Sequence, residues 1–260
     1  MRSSFSHSTL VRLLGGWTPA EAEPSGLDVA ERLSLWVNAF DAIRLQGAHQ
    51  AIAGLRGRAH ARASAPRGRA QALAEDVQRV RSVMAKAIAQ EPPPVVETAL
   101  TPADLRRLAR AAAKPVEDAG DVSYLPWRQR HLELQRQMEL MIPPLRDHVR
   151  QALAQASPRL RQLAALDATM EQVLAPREQK LLPTIADRMQ RRFADLRSAH
   201  LQALQDSGQP DEPAAWRRPG GWLERFAQDW RQLLAAELDL RLQPVTGLVE
   251  ALSKELNEPQ

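Results

Sequence analysis

An apolar stripe near the carboxyl end constrains the fold of this chain more than any other feature. Its spacing, in steps of 4, 4, 3, 4 and 3, follows one face of an α-helix. Three further leucines, Leu233, Leu240 and Leu248, widen that face. In the segment ELDLRL, residues 237–242, apolar and charged residues alternate as they would in a β-strand. This alternation arises because Leu240 lies on the widened part of the apolar helix face, beside Leu238 and Leu242 of the stripe. The stripe consists of Leu234, Leu238, Leu242, Val245, Val249 and Leu252.

A helix that is apolar over so broad a face must pack against other helices. Comparable stripes recur along the chain, and several have the 3-4 spacing of coiled coils. They are Val29, Leu33, Trp36, Phe40 and Ile43; Leu73, Val77, Val80, Met84 and Ile88; Leu134, Met138, Met141, Leu145 and Val149; Leu163, Leu166, Met170 and Val173; Ile185, Met189, Phe193 and Leu196; and Trp222, Phe226 and Trp230. A short amphipathic helix with Leu10, Leu13 and Leu14 on one side is expected before Gly15.

Composition supports the same conclusion. The 260 residues include 42 Ala and 36 Leu, which favour helices, but only 14 Val, 5 Ile and 7 Thr, which favour strands. We therefore predict an all-α protein, an elongated helical bundle of about six to eight helices, with self-association as one use of its coiled-coil-like faces.

Prolines interrupt several of these helical patterns. Pro244 lies within the last stripe, where it has no backbone N–H to donate, so a kink or a break is expected there. Pro143, Pro144, Pro176 and Pro183 lead to the same expectation of proline-kinked, segmented helices. Ser157 followed by Pro158 predicts a helix start, with the serine as the N-cap.

The domain organisation follows from the breaks between these patterns. Residues 1–90 are predicted to form an N-terminal helical hairpin region with a basic tip. Residues 91–100, EPPPVVETAL, are predicted to be a proline-rich linker in extended conformation. Residues 101–260 are predicted to form a C-terminal helical region, divided by a loop over residues 207–221.

No pattern typical of catalysis or of metal binding is present. The chain has no cysteine, no phosphate-binding glycine loop and no histidine pair at metal-ligand spacing. Its carboxylates alternate with arginines on helices, which is typical of solvated or paired faces. We therefore expect no enzyme activity, no cofactor and no metal. No apolar run reaches the roughly 20 residues that a transmembrane helix needs.

One basic segment and two tryptophans are candidate binding residues. No acidic residue lies between Asp41 and Glu75, and no aromatic residue lies between Phe40 and Tyr124. The basic segment could therefore neutralise phosphates, but it lacks the rings that stack on single-stranded bases. Anionic lipid, an acidic protein partner and a solvated loop are the alternatives. Trp127 and Trp216 flank loops and are candidate interface residues, whereas Trp36, Trp222 and Trp230 are expected in the core. The arginines of the segment are Arg56, Arg58, Arg62, Arg67 and Arg69.

Three stretches together resemble a known family. They are LVRLL with ERLSLWVNAFDAIRL, residues 10–14 and 31–45; residues 139–174, ELMIPPLRDHVRQALAQASPRLRQLAALDATMEQVL; and residues 222–252, WLERFAQDWRQLLAAELDLRLQPVTGLVEAL. The chain is similar to the proteobacterial family of domain of unknown function 3348. The resemblance carries over no catalytic, cofactor-binding or metal-binding residue.

The resemblance implies a cellular context. Similar proteins are encoded beside membrane ion-channel proteins of the flagellar-stator or Tol type and beside OmpA-like proteins. The expected function is that of a non-enzymatic interaction or assembly protein, a soluble cytoplasmic partner of such an ion-driven envelope complex, peripheral to the inner membrane. The alternative is a nucleic-acid-associated accessory protein that binds phosphates through the basic segment.

Overall fold

The fold is known from a computed structural model, which describes residues 8–17, 39–54, 68–92 and 123–257. The described part contains six α-helices and no strand, so the predicted all-α helical bundle is confirmed. One 3₁₀ turn, Pro213–Ala215, lies between the last two helices. The helices are α1 (Thr9–Gly16), α2 (Ala39–Gly54), α3 (Gly68–Ala89), α4 (Leu125–Ala156), α5 (Pro158–Ser207) and α6 (Trp222–Asn257).

The apolar stripes of α3, α4 and α6 form the core as predicted. All six residues of the stripe over Leu234–Leu252 are buried, and the helical interpretation of residues 237–252 is confirmed. The stripe of α3 is buried at four of its five positions, with Val80 half-buried. Leu10 is buried on α1, with Leu13 and Leu14 half-buried beside it, as the amphipathic pattern indicates.

Helices α4, α5 and α6 continue through their prolines. Pro143 and Pro144 lie inside α4, which runs for 32 residues, and Pro244 lies inside α6, which runs for 36. Helix α5 runs for 50 residues, about 75 Å, through Pro176 and position 183. Of the two expected effects, a kink or a break, the break is therefore wrong, and the kink stays a prediction. Extensive burial of the same helices offsets the cost of about 3 kcal/mol that each interior proline imposes.

Polar contacts show how the long helices run relative to one another. Helices α4 and α6 are parallel, because Gln135 contacts Glu237 and, further along both helices, Glu139 lies near Arg241. Helix α5 is antiparallel to α4, since Gln135 also reaches the carbonyl of Leu182. Helix α3 is antiparallel to α4 as well. The parallel pair α4–α6 thus lies at the centre, with α3 and α5 packed against both members.

Helix α2 packs along the outside of α5. Asp41 pairs with Arg177, and the side-chain amide of Gln162 donates to the carbonyl of Ile52 at 3.2 Å. Helix α3 instead packs on α4 and α6. This differs from the predicted hairpin, in which α2 and α3 would pair with each other, because the faces of the two helices are buried by different partners. Ile43, expected in the core, is 65% exposed on α2.

Two connections show local sequence determining local structure. Ser157 is the only residue between α4 and α5, and its hydroxyl accepts from the N–H of Leu160 at 3.1 Å, as the serine–proline pattern predicts. The loop after α5 begins at Gly208, which has a positive φ of 66°. It ends at Gly221, where a side chain would lie 2.3 Å from the carbonyl oxygen of Trp216, so only glycine fits.

Parts of the predicted organisation lie outside the described residues. These are most of the proline-rich linker, residues 101–122 of the predicted C-terminal helical region and the start of the stripe that includes Trp36. None of the helices in the described ranges is long and apolar enough to cross a bilayer.

Candidate functional site

Of the basic segment, the structure describes Arg69 alone. Arg69 lies in the first turn of α3, where its guanidinium donates to the side-chain carbonyl of Gln155 at 2.8 Å. This contact places it at the end of the bundle where α4 ends and α5 begins. Arg56, Arg58, Arg62 and Arg67 lie outside the described residues. Phosphate or acidic-partner binding by the whole segment therefore stays a prediction.

Trp127 packs inside the bundle. It is 3% exposed, and its ring meets those of Phe226 and Trp230 edge-on, with centroids 5.1 Å and 5.3 Å apart. Trp222 and Trp230 are buried, as expected from their stripe. The buried Tyr124 donates its hydroxyl to the carbonyl of Ala186 at 2.7 Å. Burial raises the pKa of this hydroxyl well above its ordinary value.

Trp216 anchors the loop between α5 and α6. Its indole N–H donates to the Oδ1 of Asp211 at 2.6 Å, and the same oxygen lies 3.0 Å from Nε2 of His200. Burial by itself raises the pKa of Asp211, but hydrogen bonds from His200 and Trp216 outweigh it and lower the net value. Both candidate tryptophans thus contact aromatic residues of their own chain. Their role in an interface with a partner stays a prediction.

The largest departure from an apolar core is a buried polar cluster, which we define as His131, Gln135, Glu237 and Arg241. Glu237 on α6 is 0% exposed. Gln135 on α4 donates to both of its carboxylate oxygens, at 3.0 Å and 3.1 Å. Arg241, one turn along α6, donates to Oε1 from Nε at 3.0 Å and from Nη2 at 2.8 Å. A buried carboxylate is tolerated when donors surround it in this way.

His131 completes the buried polar cluster from α4. It is 0% exposed, and neither ring nitrogen has a hydrogen-bond partner among the described residues. Burial, and secondarily the charge of Arg241, lower its pKa to about 4. Its Nε2 lies 3.9 Å from Oε2 of Glu237, a distance at which a charged imidazole would form an ion pair. The imidazole is neutral near pH 7, because Arg241 already balances the carboxylate and the site is closed to water.

A second group of charges joins α4 to α5, and we call it the α4–α5 ion-pair network: Arg146, Arg150, Asp167 and Glu171. Arg146 donates two hydrogen bonds to the carboxylate of Asp167, at 2.8 Å and 2.6 Å. Arg150 contacts both Asp167 and Glu171 at 2.7 Å. Burial alone raises the pKa of Asp167, but hydrogen bonds from both arginines outweigh it and lower the net value. For Arg150, burial by itself lowers the pKa, but the hydrogen bonds to Glu171 and Asp167 outweigh it and raise the net value.

An apolar stripe remains on the outer face of α5. We define the outer α5 stripe as Leu166, Met170, Leu174 and Leu181, spaced by 4, 4 and 7 residues. Leu174 is half-buried, and the other three are 38–51% exposed. At 3.6 residues per turn, Arg177 lies on this same face between Leu174 and Leu181, whereas Asp167 and Glu171 lie on its α4 side. Leu166 and Met170 belong to an apolar stripe in the sequence, but the bundle leaves them exposed.

Among the described residues, no group of three or more histidines, aspartates or glutamates could hold a metal ion. An open cleft of about 520 Å³ between α2 and α5 is lined by Arg44, Ala48, Thr169, Gln172, Ala175, Pro176 and Gln179. Its lining has neither a carboxylate nor an imidazole to act as a general acid or base.

Sequence reasoning missed the buried polar cluster, although a signal was present. Glu237 lies four residues after Leu233 and three before Leu240, within the wide apolar face of α6. His131 and Gln135 similarly lie three residues before Leu134 and three before Met138 on α4. Polar residues at core positions of two helices indicate that they meet there, because a buried polar group needs a partner.

Comparison with known proteins places the chain in a family. A family model described as "Protein of unknown function (DUF3348)" matches residues 1–254, nearly the whole chain. Searches of curated proteins and of solved structures gave no match. The resemblance of residues 10–14, 31–45, 139–174 and 222–252 is thereby confirmed. Because the match covers far more than half of its length, the chain belongs to the DUF3348 family.

Proposed function

We propose that this protein is a non-enzymatic helical interaction and assembly protein, a soluble cytoplasmic partner of an ion-driven, stator-like or Tol-like envelope complex. The observation that carries the proposal is the outer α5 stripe. It presents three large apolar side chains on one face of the longest helix described.

Three charged residues on or beside the outer α5 stripe are engaged within the chain. Asp167 and Glu171 bind Arg146 and Arg150, and Arg177 binds Asp41 at 3.1 Å. Because these groups are held by their partners, the surface offers apolar contact bordered by fixed ion pairs. Such a surface suits binding through helix packing rather than the chemical conversion of a small molecule.

The outer α5 stripe has the dimensions of a helix-binding face. From Leu166 to Leu181 it extends about 22 Å, or four helical turns. We propose that an amphipathic helix from the cytoplasmic part of the partner lies along it, with its own apolar residues between the side chains of the stripe. Family membership supports the envelope context, through the gene neighbours that the sequence resemblance implies.

The test is the recovery of a detergent-solubilised stator-type or Tol-type channel protein, encoded beside this gene, on the immobilised full chain. The variant Leu166→Asp/Met170→Asp places two charges on the stripe and is expected to weaken binding by about tenfold or more, the size of a hot-spot loss. The matched control is Leu140→Asp/Leu201→Asp, which adds the same charges at exposed leucines away from the stripe.

The control should bind like the wild type, and both variants should keep a wild-type circular-dichroism spectrum. If the wild type recovers no envelope protein, the proposed function is wrong. If it recovers one and both double variants bind equally well, the outer α5 stripe is not the binding face.

A further inference from the structure

The buried polar cluster joins the two central helices at one level of the bundle. Glu237 on α6 accepts from Gln135 on α4 through both oxygens, and from Arg241 on its own helix. On the α5 side the cluster meets a backbone carbonyl, since Gln135 lies 3.4 Å from the oxygen of Leu182. At this level the polar contact between α4 and α6 is made through one carboxylate that water does not reach.

The charges of this cluster balance only while His131 is neutral. Glu237 contributes one negative charge and Arg241 one positive charge. Glu139 on α4, whose side chain is 58% exposed, lies 3.9 Å from Arg241 at the edge of the cluster. On the α3 side, Arg81 is paired with Asp239 at 3.0 Å. None of these groups places a second carboxylate beside the His131 ring to balance an imidazolium.

Other ionisable groups near this level are similarly engaged. Arg130, the residue before His131, donates to the carbonyl of Ala87 on α3 at 3.0 Å and lies 3.8 Å from Glu133. None of these contacts involves the His131 ring, whose nitrogens have no hydrogen-bond partner among the described residues.

We propose that His131 and Glu237 form a proton-operated lock between α4 and α6. With a neutral imidazole, the carboxylate is shared by Gln135 and Arg241 and the helices are held together. A proton taken up by His131 puts a second positive charge beside Arg241 in a site that is closed to water. The cost of that charge is relieved when α4 and α6 separate and His131 reaches solvent.

The proton balance sets the direction of the effect. In the folded protein the pKa of His131 is lowered from its ordinary 6.5 to about 4. Between these values the unfolded chain binds a proton that the folded chain does not. The stability associated with His131 is therefore complete above about pH 6.5 and falls as the pH drops toward 4.

The test compares urea unfolding of the full-length wild type and His131→Leu at about pH 7.5 and about pH 5. Over this interval the unfolding equilibrium constant of the wild type should rise about 30-fold more than that of His131→Leu. His148→Gln, which removes an exposed histidine of the same helix, should follow the wild type. Equal pH dependence in the wild type and His131→Leu would overturn the proposal.

A second measurement does not depend on the leucine variant being stable. Nuclear magnetic resonance of the imidazole nitrogens in the folded wild type at about pH 5.5 should show a neutral His131, as expected for a pKa lowered by burial. An imidazolium signal in the folded state at that pH would contradict the lock, because the cluster would then accept the proton without opening.

Discussion

The buried polar cluster and the α4–α5 ion-pair network use the same chemical groups in different surroundings. The cluster has a single carboxylate, Glu237, which is fully buried and satisfied from two sides. The network has two carboxylates and two arginines at the edge of the bundle, where the side chain of Glu171 is 31% exposed. No other buried carboxylate can replace Glu237 in the cluster, whereas each residue of the network has a second partner of opposite charge. Burial and redundancy, rather than the number of ion pairs, should therefore determine how much each region contributes.

The largest expected effect is the loss of the central carboxylate. Glu237→Gln leaves the Arg241 guanidinium without its buried counter-charge, and should lower the free energy of unfolding by about 3–5 kcal/mol. Urea denaturation at neutral pH measures this change. Glu139→Gln is the matched control, since its carboxylate lies 3.9 Å from the same guanidinium but its side chain is 58% exposed. The control should lose about 0–1 kcal/mol. Equal losses would remove the distinction between the two regions.

The two regions should lose their contributions to the free energy of unfolding at different pH values. The cluster should lose up to about 3 kcal/mol as the pH falls from about 6.5 to about 4, because the pKa of His131 is lowered in the folded state. The pKa of Asp167 is also lowered, so the network is intact above the ordinary carboxyl value near 3.8 and loses its contribution only below it. Unfolding free energies measured across this range should thus fall in two stages. A single loss confined to below about pH 4 would show that the cluster does not respond to acid.

An intermediate effect is expected in the network itself. Asp167→Asn removes the carboxylate that accepts from both Arg146 and Arg150, but Glu171 remains to receive them. We expect a loss of about 1–2 kcal/mol in the free energy of unfolding, as for hydrogen bonds to charged groups that keep some compensation. Thermal and urea unfolding provide the measurement. A loss as large as that of Glu237→Gln would mean that the second carboxylate gives no redundancy.

The smallest effect should come from the outer carboxylate of the network. Glu171→Gln removes a partly exposed group whose arginine partners both retain Asp167. The expected loss is about 0–1 kcal/mol, and it should decrease further in high salt because exposed ion pairs are screened. A loss above about 2 kcal/mol, or one that salt does not change, would show that this pair is effectively buried.

Much of the bundle could be predicted from sequence because helical periodicity reports which face of a helix is apolar. The α3 stripe that includes Leu73 and Met84, and the α6 stripe from Leu234 to Leu252, are buried as their spacing indicates. The start of α5 after Ser157 follows from serine and proline chemistry alone. These features depend on residues close together in the sequence, and local rules are sufficient for them.

The remaining features depend on which helices meet, and spacing does not specify that. Leu166 and Met170 share a helical face as predicted, but this face of α5 is left partly open by its neighbours. Pro244 was expected to kink or break α6, and the helix continues through it, so the break does not occur. The site at Glu237 required α4 and α6 to be parallel and in a particular register. That arrangement is a property of the whole bundle, and no single stripe contains it.

The most direct test of this account is a double-mutant cycle between Gln135 and Glu237, built from Gln135→Leu, Glu237→Leu and the double variant. The cycle isolates the contact between α4 and α6 from other effects of each substitution. We predict a coupling energy of about 1.5–3 kcal/mol at neutral pH, the range for hydrogen bonds to a charged group. A coupling energy below about 0.5 kcal/mol, as for independent sites, would contradict the claim that this buried carboxylate holds the two central helices together.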